Sequence, residues 1–128
     1  MRILLDTHVL LWAVTDDPML GELARQLLID PNNQTYVSAA SIWEVAIKHR
    51  KNPALMPLGP DVLIEACEES GFNWLAVSVH HARATAQLPL LHSDPFDRLL
   101  VAQAQQEPMR LLTRDHQVAA YSELVQLV

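Results

Sequence analysis

The sequence has one cysteine, Cys67, so no internal disulfide forms and a disulfide-stapled scaffold is excluded. Cys67 stands in a stretch that reads as a helix, where a buried structural thiol is expected. No apolar run approaches the ~18 residues that a membrane span needs. The opening Met1-Arg2-Ile3-Leu4-Leu5 meets Asp6 at once, too short for the apolar region of a secretory signal and without a small-residue cleavage site. These absences predict a soluble, cytoplasmic protein with no membrane partner. Repeats and low-complexity segments are also missing. The six histidines are scattered and no Cys/His cluster has zinc-ligand spacing; His80-His81, lacking i,i+4 spacing, reads as surface or capping residues. No Ser-His or Cys-His pair stands out as a nucleophile.

Positive charge is short as well. A net charge of -6 excludes a protein that binds phosphate backbones over its whole surface. The basic residues are local: Lys48 precedes Arg50 and Lys51, and Arg98 and Arg114 each stand beside an acid. An acidic chain with a few basic spots suits a metal-dependent site fed by limited cationic contacts, or a protein held by a basic partner.

Half of the residues are apolar, enough for a real core in one domain spanning 1–128. Ile3-Leu4-Leu5, Thr35-Tyr36-Val37, Trp74 to Val77 and Arg110 to Thr113 read as short buried strands, with Leu124 to Val128 as a fifth candidate. Helices are predicted over Val9 to Val14, Leu20 to Ile29, Ala39 to His49, Asp61 to Glu69, His80 to Gln87 and Phe96 to Gln106. Gly71 is placed to end the fourth of these. Apolar strands alternating with helices predict an α/β fold, a three-layer α/β/α sandwich around a parallel sheet of four to five strands. Such sheets place ligands at the carboxyl ends of their strands.

Asp6 and Asp115 directly follow the first and fourth strands, where each caps a helix or ligates a metal. Ser41, Glu44, Lys48 and Lys51 form one narrow polar stripe on a helix. Spacing alone favours a solvated face with a Glu44–Lys48 pair, stabilising by about 0.3–0.5 kcal/mol. The sharper reading makes the stripe one wall of a polar cleft, with Glu44 a ligand and Lys48 near a phosphate. In Ser93-Asp94-Pro95-Phe96-Asp97-Arg98, Asp94 fits an N-cap and Pro95 the first helical position. Helical arithmetic sets Asp97 on the side of Leu100, Val101 and Ala104, where a carboxylate is costly unless a positive group satisfies it. Asp97 is therefore the expected ligand, with Asp94 capping or supporting, although their close spacing leaves the pair open. With a 3-2-1-4 strand order the four acids converge. Their mutual repulsion calls for a hard divalent cation, Mg²⁺ or Mn²⁺.

Asp6-Thr7-His8, Ser41 to Lys48, Asp94 to Ala104 and Leu112 to Asp115 together resemble PIN-domain proteins, closest to the VapC-like ribonuclease toxins of type II toxin–antitoxin systems. The resemblance runs from Met1 to the C-terminus. It implies Asp6, Glu44, Asp97 and Asp115 as a catalytic Mg²⁺ or Mn²⁺ site, with Thr7 and Thr113 as supporting hydroxyls. It places Arg98 and Arg114 against phosphate or as balance to the acids. It further implies an RNA substrate, a cognate antitoxin and a homodimer. One alternative is a non-catalytic PIN-like module binding protein or RNA. Another is a phosphatase or receiver domain; a phosphatase of that kind wants an acid where His8 stands, and no central phospho-acceptor suits a receiver. Trp12 and Trp43 are expected in core packing, with an interface as the other use.

Overall fold

Strands and helices alternate throughout the computed structural model, which describes residues 1–128. The order is β1 (Arg2–Leu5), α1 (Thr7–Val14), α2 (Glu22–Ile29), β2 (Gln34–Ser38), α3 (Ala39–Lys51), α4 (Pro60–Glu69) and β3 (Asn73–Leu75). There follow α5 (Val79–Ala84), a 3-10 turn (Thr85–Gln87), α6 (Pro95–Gln106), β4 (Arg110–Thr113), α7 (His116–Ala119) and β5 (Val125–Leu127). All neighbouring strands pair in parallel, in the order β3-β2-β1-β4-β5.

Strand side chains alternate between faces, and here the alternation builds two cores. Ile3, Leu5, Val37 and Leu112 pack with Val9 and Leu10 of α1, Ala24 of α2, Val45 of α3 and Leu63 and Cys67 of α4. Leu4 and Leu111, paired in register across β1 and β4, face the other way onto Leu100, Val101 and Ala104 of α6, Ala84 of α5 and Val118 of α7. Because apolar helices cover both faces, the short strands read as continuous apolar runs. Each fully buried leucine contributes about 1.5–3 kcal/mol. The predicted three-layer α/β/α sandwich is what forms.

Details depart from the sequence expectations for local reasons. β3 stops at Leu75, not Val77, because β2, its one neighbour, ends at Ser38, whose side chain already caps α3. The helix foreseen from His80 to Gln87 splits at Thr85 into α5 and the 3-10 turn, and α7 was not foreseen. Gly71 does follow α4, at φ 74°, the left-handed conformation that glycine adopts without strain. His81 caps α5 but is buried, with Nε2 2.6 Å from Glu107 Oε2. Trp43 is not a core residue: it is 62% exposed, with one edge against Phe96. Trp12 is half-buried against the first core. No helix is long and apolar enough to cross a membrane.

Candidate active site

The chain runs outward in both directions from the centre of the sheet, so β1 and β4 are adjacent where the strand order turns. In sheets of this kind a crevice opens at that point beyond the carboxyl ends of the strands. Asp6 follows β1 and Asp115 follows β4, and both cap helices. Asp6 Oδ1 accepts the Val9 N–H at 2.8 Å, and Asp115 Oδ1 accepts the Gln117 N–H at 2.8 Å. Each keeps its second oxygen for the crevice. Asp6 Oδ2 accepts the Thr113 hydroxyl at 2.5 Å, and the Thr113 oxygen accepts the Asp115 N–H at 3.0 Å. Thr113 thereby ties the two strand ends together.

The face of α3 that carries Ser41 and Glu44 is buried, which corrects the solvated-face expectation. Glu44 Oε1 accepts the Thr7 hydroxyl at 2.7 Å, and Thr7 lies 3.1 Å from the Ser41 hydroxyl. Lys48 Nζ, still close to half exposed, donates to Glu44 Oε2 at 2.5 Å. The i,i+4 pair exists, but its glutamate lies in the buried wall of the crevice; Lys48 at the rim and Lys51 at the end of the stripe reach solvent. Polar residues facing a polar cleft give the same helical pattern as polar residues facing water.

Asp94 caps α6, its Oδ1 accepting the N–H groups of Phe96 (2.8 Å) and Asp97 (3.4 Å). That frees the Asp97 side chain, whose Oδ2 lies 3.1 Å from His92 Nε2. The same Nε2 bonds Asp115 Oδ2 at 3.1 Å. His92, Asp97 and Asp115 are the one trio of potential ligands close enough to share a cation. The sequence reading passed over His92 because it sits in the aperiodic Pro89–Pro95 loop. Its only local signal was a ligating residue two positions before a helix-capping aspartate.

The electrostatics link these groups. Burial, and then the negative charges of Asp94, Asp6 and Glu44, push the Asp97 carboxyl up to about 7, against the opposing pull of His92. Burial also raises Asp6, in spite of its bonds from Thr113 and Val9. Asp115 is held below its ordinary range: slight burial acts upward, but the Gln117 N–H and His92 outweigh it. Lys48 loses some hydration, yet its bond to Glu44 and the charges of Glu44, Asp94 and Asp97 hold its ammonium above the usual lysine value. Crowded, part-buried carboxylates with oxygen donors aimed inward are a chemical match for a hard divalent cation, which relieves the repulsion that raises them.

The two arginines differ. Arg98 is turned away from the acids. Its Nη1 donates to Pro89 O (2.9 Å) and to the Tyr121 hydroxyl (3.0 Å), and its Nη2 to Thr85 O (2.9 Å) and Leu88 O (3.4 Å). With all four terminal N–H groups engaged, the phosphate contact expected of Arg98 is replaced by a loop clamp. Arg114 is exposed, donates to Met19 O at 2.7 Å and lies 5.6 Å from the centre of the Trp12 ring. Asp6, His8, Trp12, Arg114 and Asp115 line a cleft of about 300 Å³ beside the acids.

Comparison with curated protein sequences gives no significant match. Solved structures share the fold. A chain of the VapBC2 complex from Rickettsia felis, crystallised on a promoter DNA fragment, superposes with a TM-score of 0.71 at 16% identity, covering 100% of this chain and 98% of that one. A chain of a toxin–antitoxin complex from Klebsiella pneumoniae gives 0.65 at 21% identity, covering 97% and 95%. A chain of FitAcB from Neisseria gonorrhoeae gives 0.59 at 25% identity, covering 91% and 89%. The PIN domain family model matches residues 3–124, nearly the whole sequence, and the chain belongs to the PIN-domain family.

Proposed function

We propose that this chain is an Mg²⁺- or Mn²⁺-dependent endoribonuclease and the toxin of a toxin–antitoxin pair, working in the cytoplasm as one domain over residues 1–128. The observation that carries the reading is the gathering of acids at the turning point of the sheet: Asp97 and Asp115 stand with His92 at the spacing of shared ligands, and burial and then the charges of Asp94, Asp6 and Glu44 push Asp97 up to about 7. Asp97 and Asp115 would hold the cation at the spacing they already have, with Asp6 and Glu44 completing the acid set around it. When bound, it activates a water and stabilises charge on a phosphodiester.

The rest falls to the chain's own side chains. Thr7 and Thr113 hold Glu44 and Asp6 by hydroxyl donation and so fix the carboxylate orientations. Asp94, by capping α6, keeps the first turn that carries Asp97 in place. Lys48 at the rim offers an ammonium to a phosphate oxygen, and Arg114 does the same across the cleft. Two such contacts are compatible with a chain of net charge -6, since phosphate attraction is needed only locally.

Two of the structural neighbours come from complexes named VapBC or toxin–antitoxin, which supports a cognate antitoxin as partner. An acidic surface suits a basic partner segment. The resemblance to VapC-like toxins carries the further proposal of a homodimer as the working form.

The test incubates antitoxin-free protein with cellular RNA and Mg²⁺ or Mn²⁺, with EDTA and Asp6→Asn as controls. Cleavage is expected only with the cation and intact Asp6. Cleavage surviving both the chelator and the substitution would sink the metal-centred mechanism.

A further inference from the structure

We propose that His92 belongs to the metal centre as a positioning residue, holding an Nε2–H donor between Asp97 and Asp115, and does not ligate the cation through nitrogen. The inference rests on the metal-site reading above. Distances alone do not separate donor from ligand. Nε2 lies 3.1 Å from an oxygen of each acid, and adjacent ligands on an octahedron of ~2.1 Å radius stand ~3.0 Å apart. The other ring nitrogen decides it.

The backbone N–H of Asp94 bonds His92 Nδ1 at 3.2 Å. A backbone N–H only donates, so Nδ1 presents its lone pair and the ring N–H is on Nε2. A histidine that ligates through Nε2 keeps its proton on Nδ1 and donates it to an acceptor. Here that tautomer would set two N–H groups against each other. The Nε2–H therefore faces the carboxylates, bonded to Asp115 and alongside Asp97.

The residue is also held as a positioning group must be. The His92 N–H donates to the Tyr121 hydroxyl at 2.8 Å, and that hydroxyl donates back to His92 O at 3.3 Å. Arg98 donates to the same hydroxyl and to the carbonyls of Pro89 and Leu88 on the loop. This clamp, α6's cap and β4's end all fix the imidazole relative to the two acids. Its role is to keep Asp97 and Asp115 at ligand spacing before the cation arrives.

The experiment measures Mn²⁺ binding to the full chain by electron paramagnetic resonance after EDTA treatment, without RNA. His92→Ala is expected to weaken Mn²⁺ binding about 10–100-fold, the usual effect of losing a hydrogen-bond partner to a ligand. His92→Gln, whose amide N–H₂ reaches the same place, is expected to recover most of it. In wild-type protein labelled with ¹⁵N-histidine, pulsed measurements are expected to show no directly bonded imidazole nitrogen on Mn²⁺. Unchanged affinity in His92→Ala, no recovery in His92→Gln with circular dichroism intact, or a directly bonded ¹⁵N would each overturn the assignment. Failure of the underlying reading looks different: wild type itself would not bind Mn²⁺, or Asp97→Asn would bind it equally well, and the positioning role would fall with it.

Discussion

Asp97 offers the most direct measure of how much strain the acid cluster stores. Its carboxyl is pushed from an ordinary 3.8 to about 7 by burial and by Asp94, Asp6 and Glu44. Between those two values the native state holds a proton that the unfolded chain has released. Stability therefore falls as pH rises through that window and levels off above about 7. At about 1.36 kcal/mol per pH unit, the full span corresponds to about 4 kcal/mol, of which about 2–3 kcal/mol is lost between pH 5 and pH 8. Asp97→Asn has no such proton to lose. In EDTA, the stability of the variant relative to wild type should rise by about 2–3 kcal/mol from pH 5 to pH 8. With urea slopes of about 1–3 kcal/mol per molar, the midpoint difference should widen by about 1–2 M. Urea unfolding followed by far-ultraviolet circular dichroism reads this directly. Added Mn²⁺ should reverse the ranking, because a ligand at 100 times its Kd stabilises the native state by about 2.7 kcal/mol and the variant has lost a carboxylate to hold it. A pH-independent difference in EDTA, or a variant less stable than wild type at pH 8, would refute the claim that Asp97 is held in an unfavourable charged state.

Thr113→Val removes the hydroxyl between Asp6 and Asp115 while keeping its shape, and should destabilise the protein by about 1–3 kcal/mol in urea unfolding at pH 7, since buried Asp6 Oδ2 loses its donor. Arg98→Ala releases the loop clamp, should cost about 2–3 kcal/mol, and should speed limited proteolysis within residues 89–95, scored by mass spectrometry of the cut sites. Arg114→Ala should weaken RNA binding by a similar factor for every RNA sequence and lower the slope of log affinity against log salt by about 1, as expected for one lost phosphate contact.

The layers of the fold were legible because each strand writes both cores in alternation. Ile3 and Leu5 go to one side and Leu4 to the other, and the same parity recurs in Leu111 and Leu112. Strand order was not legible in the same way: a 3-2-1-4 order was supposed because it lets the acids converge, and the pairing of β1 with β4 agrees with it. What sequence could not supply was the direction in which a polar face looks. The Ser41–Glu44–Lys48 stripe has the spacing of a solvated helix, and only the approach of Thr7 from α1 makes it the wall of a cleft. His92 was hidden for a different reason. Its place is set by Tyr121, 29 residues further along, and by Arg98, and no local period encodes a loop held by distant side chains.

The choice between capping and ligation, posed for each acid in the sequence, dissolves once both carboxylate oxygens are followed. Asp6 and Asp115 cap with one oxygen and turn the other to the crevice, each receiving a second hydrogen bond there. The helix N-termini that they cap also bring favourable partial positive charge to the site. Asp94 takes the capping duty on α6. Asp97 is thus the acid left with no hydrogen bond to its carboxylate: His92 stands 3.1 Å away, but its Nε2–H is bonded to Asp115. Burial and then the charges of Asp94, Asp6 and Glu44 push Asp97 up to about 7 with no hydrogen bond to its carboxylate, whereas Asp6, also raised by burial, keeps its bonds from Thr113 and Val9. A carboxylate short of donors among like charges gains the most from a cation. The acid with the weakest support from the chain is therefore the one on which metal binding should depend most.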